Sequence, residues 1–118
     1  MVARVAAIRR WTRVRFGAAR FADIGLPGGE AIDQGLAALA AGEESTESLL
    51  VSLAAPRLKR EGVPLPRELF PNADVRLYRM LERTVGDLAH AQYLAYLRQA
   101  TSFADARAGS RLTRGKNA

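Results

Sequence analysis

The stretch EAIDQGLAALAAGEESTESLL, Glu30 to Leu50, decides the fold class. Its apolar residues Ile32, Leu36 and Leu39 recur at i, i+4 and i+7, which is one side of a helix. Glu30 at the start complements the partial positive charge of a helix N-terminus. Gly42 stands where a left-handed glycine ends a helix. Ser45 or Thr46 then offers a side-chain oxygen to cap a second helix, with Glu47 in its first turn. Helix, glycine, cap and helix in so short a stretch fit an all-α bundle with short loops.

Reading toward the C-terminus, the second helix carries Leu49, Leu50, Leu53 and Leu58 on its apolar side. Pro56 interrupts it, since proline lacks a backbone donor and clashes with the preceding turn. A kink or break is predicted near Ala54–Ala55, with Pro56 opening a further short turn that Gly62 ends. Val63-Pro64-Leu65-Pro66 is predicted to be extended, because a residue before proline is pushed out of the helical region. Asn72 or Asp74 caps a third helix to about Val85, with Leu77, Leu81 and Val85 as its stripe and Tyr78 beside it. Gly86 breaks it, and Asp87 caps a last helix reaching about Ala108. That helix presents Leu88, Ala91 and Leu94, with a further apolar edge at Leu97, Ala100 and Phe103. Gly109 is expected to stop it, leaving residues 109–118 as a basic tail without periodicity.

The expectation is therefore an all-α fold, a small bundle of four helices or so, over a helical domain spanning 23–108. The expected core is Ile32, Leu36, Leu39, Leu49, Leu50, Leu53, Leu58, Leu77, Leu81, Leu88, Leu94 and Leu97. Toward the N-terminus, Leu26-Pro27-Gly28-Gly29 is a break. Residues 1–22 type less clearly. A helix there puts Arg9, Arg13 and Arg20 opposite Ile8, Trp11 and Ala18, but leaves Arg4 and Arg15 on the apolar side. Thr12 to Phe16 alternates in the manner of a short strand. The preferred reading is a loose helix, or an arm that folds on something else.

Charge is distributed unevenly along the 118 residues. Residues 1–22 hold six arginines and no acid, residues 106–118 hold Arg107, Arg111, Arg114 and Lys116 and no acid, and all twelve acids lie between. The formal charges of the three parts are +6, −4 and +4, against +6 for the whole chain. GC-rich coding accounts for arginine over lysine, and for the abundance of alanine. It does not account for acids avoiding both ends. The acid-free, arginine-rich start shares the character of a mitochondrial transit peptide, although no serine precedes Ser45. It lacks the apolar core of a secretory signal. With no cysteine and a single histidine, disulfides, thiolate metal sites and histidine clusters are excluded. No cofactor and no metal are expected. The longest uncharged run, Leu88 to Leu97, is far short of the ~20 apolar residues of a membrane span, so a cytoplasmic location is expected.

Two arrangements carry candidate chemistry. Arginine pairs with phosphate bidentately, and aromatic rings stack on exposed bases. Arg9, Arg10, Arg13, Arg15 and Arg20, interleaved with Trp11 and Phe16, and Arg111, Arg114 and Lys116 at the other end, are thus the candidate nucleic-acid contacts. Trp11 and Phe16 serve equally well as docking side chains against the bundle. Arg57, Lys59 and Arg60 form a small basic patch at a helix C-terminus, where the helix dipole explains them. Arg76, Arg79 and Arg83 share one helical face, which as a rule is simply solvated.

The second arrangement is Arg83-Thr-Val-Gly-Asp87-Leu-Ala-His90. Its spacing resembles the Arg-x(4–6)-His signature of HEPN-type ribonucleases, in which the motif lies on a helix of an all-α bundle and two copies meet across a dimer. The resemblance implies a proton-transferring His90 and a phosphate-stabilising Arg83 in a dimer. The same spacing here crosses Gly86, which assigns the two residues to different helices, and a surface arginine beside a partly buried, hydrogen-bonded histidine is the plainer account. Three functions follow from the sequence. The first is a non-enzymatic accessory protein that binds nucleic acid or a partner through its basic arms, in a nucleoprotein or toxin–antitoxin-type assembly. The second is a HEPN-like ribonuclease. The third is an interaction or structural subunit, with a protein partner or a second copy of itself.

Overall fold

The computed structural model describes residues 21–117, with side chains through Gly109. The chain is helical, and no strand occurs among the described residues. A 3-10 turn, Ala22–Ile24, leads into helix α1, Gly29–Ala40. Helix α2 spans Thr46–Arg60, α3 spans Ala73–Val85, and a second 3-10 turn, Gly86–Leu88, opens into α4, Ala89–Asn117.

The hairpin read from Glu30–Leu50 is present. Gly42, at φ 72°, supplies the left-handed step after α1, and the Glu43 amide reaches back to the Ala38 carbonyl at 2.8 Å. Ser45 caps α2: its Oγ accepts from the Ser48 amide at 3.0 Å, while Ser48 Oγ accepts from the Ser45 amide at 2.7 Å. That reciprocal pair satisfies two donors a helix start otherwise leaves open. Gly35 lets the two helices approach, because a side chain there would run into the Glu47 carbonyl and the Val51 side chain.

Two apolar clusters fill the interior. One gathers Phe21, Ile32, Leu36, Leu39, Val51, Leu58, Val63 and Phe103, between α1, α2 and the far half of α4. The other gathers Leu49, Ala73, Leu77, Leu81 and Ala89, between α2, α3 and the start of α4. Phe70 packs against both, and its amide donates to Ser52 Oγ at 3.1 Å. Residues 63–66 carry no regular structure, as their prolines require, and Val63 turns inward at 4% exposure.

Several sequence expectations need correction. Pro56 does not break α2, which runs continuously to Arg60. Pro56 is exposed, and its missing amide costs α2 one hydrogen bond, to the carbonyl of Ser52, without ending the helix. Gly109 does not stop α4, which continues to Asn117. Gly109 is not among the left-handed glycines, and a lone glycine inside a helix costs only about 1 kcal/mol relative to alanine. Asn72 holds the N-cap position of α3 but forms no side-chain cap bond, and Asp87 lies within the 3-10 turn instead of capping α4. Leu88 and Leu94 are 61% and 39% exposed, not core, and Leu53 and Leu97 are only partly buried. The inward row of α4 is instead buried Ala89, half-buried Tyr93 and Tyr96, and buried Ala100 and Phe103, spaced i, i+4, i+7, i+11 and i+14. Its leucines occupy neighbouring rows. Phe21, assigned above to the N-terminal segment, is 6% exposed and belongs to the packed body.

Candidate nucleic-acid interface

The sequence candidates fall into three groups. Arg9, Arg10, Trp11, Arg13, Arg15, Phe16 and Arg20 lie outside the described residues. Arg111, Arg114 and Lys116 lie on the last turns of α4. Arg83 lies in the last turn of α3 and His90 in the first turn of α4, with the Gly86–Leu88 turn between them. They therefore do not share a helix, unlike the pair in the ribonuclease signature.

His90 is exposed, not partly buried, and so is Arg83. The Tyr78 hydroxyl stands 3.4 Å from His90 Nδ1, and the two ring centroids are 6.1 Å apart. Tyr78 also packs edge-on against Tyr93, at 5.3 Å. This is a surface aromatic cluster holding one imidazole. Arg76, the first of the three arginines on α3, binds Glu44 through two bonds, at 3.1 Å and 2.8 Å, and its guanidinium lies over the Phe70 ring. Glu47 accepts from Thr46 Oγ1 at 2.9 Å and from the Tyr96 hydroxyl at 3.1 Å. Partial burial, and the carboxylate of Glu47, push the Tyr96 phenol above its ordinary range despite the Thr46 hydrogen bond, and burial raises Tyr93 as well. Glu44 and Glu47 thus tie helices together. The open cleft beside them, about 660 Å³ and lined by Glu30, Gln34, Glu47, Gln92, Tyr96 and Gln99 among others, is acidic and amide-rich, the wrong sign for a polyanion. Among the described residues no group of three or more His, Asp or Glu is placed to hold a metal ion.

A second cluster of specific contacts lies toward the other end of α4. The Phe21 ring meets the Phe103 ring edge-on, with centroids 5.0 Å apart. The backbone amides of Phe21 and Ala22 donate to the two carboxylate oxygens of Asp33, at 2.9 Å and 3.0 Å. The Arg107 guanidinium lies over the Phe21 ring, 5.1 Å from the centroid. It also donates to the Glu61 carbonyl at 2.8 Å and the Gly62 carbonyl at 3.2 Å, at the C-terminal end of α2. A cation there complements the helix dipole and satisfies carbonyls that have no helical donor. Phe21 and Arg107 are the residues at which the two acid-free parts of the sequence meet the bundle. These parts stand at opposite ends of the chain, yet the attachment points are in contact.

The acids nearby are engaged with a different base. Arg57 binds Asp105 at 3.0 Å and Glu61 at 3.2 Å. Hydrogen bonds to Asp105 first, and then to Glu61, hold its guanidinium more firmly protonated than usual. The basic patch read at Arg57, Lys59 and Arg60 thus contains a cross-helix tie. The sequence carries no acid after Asp105.

Sequence reasoning missed the role of Phe21, Asp33 and Arg107. Phe103 was visible as an apolar edge, and its register with Ala89 and Ala100 was the available signal. Nothing in the sequence pairs Phe21 with a residue so far along the chain. No protein-family model, no curated protein and no solved structure matches this chain. No helix among the described residues is long and apolar enough to cross a membrane.

Proposed function

We propose that this is a non-enzymatic accessory protein that binds nucleic acid through its basic ends, with the helices from Gly29 to Asn117 serving as a four-helix bundle scaffold. In a cell this fits a place in a nucleoprotein or toxin–antitoxin-type assembly. The observation that carries the reading is the contact of Phe21 with Arg107. It joins the attachment points of two sequence segments that together hold ten bases and no acid. Clustered cations that neutralise phosphates release condensed counterions, so such binding is strong at low salt and falls steeply as salt rises.

The test is fluorescence anisotropy with labelled single-stranded and duplex oligonucleotides. For about six phosphate contacts, affinity should fall roughly a thousandfold between about 50 mM and about 200 mM salt. Absence of binding at the lower salt, where arginine contacts are strongest, overturns the reading.

A further inference from the structure

The open cleft between the start of α1 and the first half of α4 has a volume of about 660 Å³, a size that suits a ligand. Its polar side chains are the carboxylates of Glu30 and Glu47, the carboxamides of Gln34, Gln92 and Gln99, and the Tyr96 phenol, and no lysine, arginine or histidine lines it. The fold uses only part of this set. Gln34 Nε2 donates to Glu30 at 3.3 Å, and Glu47 accepts from Thr46 and Tyr96. Gln92 and Gln99 are exposed, and their side chains bond to no other described residue. Each carboxamide offers both a donor group and an acceptor. Gln92, Tyr96 and Gln99 stand at i, i+4 and i+7 in one row of α4. The two free carboxamides are therefore about 10.5 Å apart along the helix axis. An extended chain advances about 3.4 Å per residue, so about three of its residues cover that span.

We infer that this cleft holds an extended, basic peptide segment of another protein: the Gln92 and Gln99 carboxamides bond its main chain, and Glu30 and Glu47 receive its lysine or arginine side chains. A peptide main chain presents a donor and an acceptor at each residue, which is the pairing a carboxamide can satisfy from either side. An apolar occupant would strip water from the two glutamines and return no hydrogen bond. The sign of the occupant follows from the lining. Two carboxylates with no base among them repel an acidic segment and favour a basic one. The inference is independent of the nucleic-acid reading, since none of these residues belongs to the basic ends of the chain.

The experiment uses the full chain and three labelled, end-blocked peptides of equal length. The first alternates serine with arginine, the second replaces each arginine by glutamate, and the third is the first with its central amides N-methylated. Affinity is read by fluorescence anisotropy, and the site by amide shifts of the isotope-labelled protein. The basic peptide should bind one per chain and move the signals of Gln92, Tyr96 and Gln99. The acidic peptide should bind at least about tenfold more weakly, and so should the N-methylated one, which has lost main-chain donors. Q92A/Q99A should weaken the basic peptide about tenfold, the loss of two hydrogen bonds. Both glutamines are exposed, so the fold should survive, as circular dichroism verifies. E30Q should weaken it by a smaller factor, and L88A, at the start of α4, should leave it unchanged. Equal binding of the acidic peptide, indifference to Q92A/Q99A or to N-methylation, or shifts that miss α4 overturns the inference. So does occupation of the cleft by the protein itself. Without any peptide, that would appear as movement of the Gln92 and Gln99 signals when the chain's own N-terminal arginines are replaced by glutamine, or as a mass that rises with concentration.

Discussion

The two ends of α4 are built differently. At its start, the Gly86–Leu88 turn leaves Leu88 61% exposed and His90 at the surface, with Ala89 alone reaching the core there. Toward its far end, Phe103 is fully buried, Phe21 packs against it, Asp33 holds the Phe21 and Ala22 amides, and the Arg107 guanidinium lies over the Phe21 ring. The first end was the more suggestive in sequence, because it holds the single histidine. The second is the one on which the fold spends its specific contacts. Suggestive residue types and structurally enforced positions are thus separate signals, and in this protein they sit at opposite ends of one helix.

The largest expected effect that tests this contrast is Phe103→Ala. Removing a fully buried phenyl ring that also supports Phe21 should cost about 3–5 kcal/mol in urea unfolding. Leu88→Ala at the opposite end should stay within about 0.5 kcal/mol. Equal costs would abolish the contrast. Asp33→Ala comes next. It leaves two backbone donors without their charged acceptor, and should cost about 1.5–3 kcal/mol. A value near zero would mean that water replaces the carboxylate and that Asp33 does not anchor Phe21.

Tyr96 gives a smaller effect, visible only in alkali. Its folded pKa lies above the unfolded value near 10. The unfolded chain therefore loses the proton first, and stability falls as pH rises from about 10 through the folded value. Tyr96→Phe should flatten part of that decline, with Tyr93 supplying the remainder. An unchanged alkaline profile would contradict the assignment. The smallest effect is that of His90→Ala, within about 0.5 kcal/mol because the ring is exposed. It should also leave nucleic-acid affinity near neutral pH unchanged. A marked loss of affinity, or loss of an RNA-cleaving activity, would move the functional end to the Tyr78–His90 cluster.

Much of the helical order was legible because it is local. Ile32, Leu36 and Leu39 with Gly42 define α1, and Ser45 or Thr46 with Glu47 marks the start of α2, each within a few residues; the Ser48 half of the cap was not read. Non-local choices were not legible. Alanine and tyrosine, not leucine, occupy the inner row of most of α4, because close packing against α3 leaves room for Ala89 and uses the half-buried rings of Tyr93 and Tyr96. Pro56 and Gly109 behaved against local preference. Pro56 removes one donor but the apolar side of α2, with Ala55 and Leu58 buried, still holds the helix together, and helix-favouring neighbours such as Ala106, Arg107 and Ala108 carry α4 through Gly109. At the candidate interface, the basic ends were plain in composition. Their common root was hidden, since it depends on a Phe21–Phe103 contact that no periodicity announces.

That contact also bears on the order in which the molecule assembles. The α1–α2 hairpin joins neighbouring segments and closes cheaply. Phe21 and Phe103 stand about 80 residues apart in sequence, and closing so long a loop carries an entropy cost that only formed neighbours can offset. Asp33 on α1 and the Glu61 carbonyl at the end of α2 are those neighbours, so the expected order has this end completed after the α1–α2 hairpin. Amide exchange should accordingly be faster at Phe21 and Ala22 than at Leu49 and Leu50, which makes the root of both basic segments the kinetic seam of the fold.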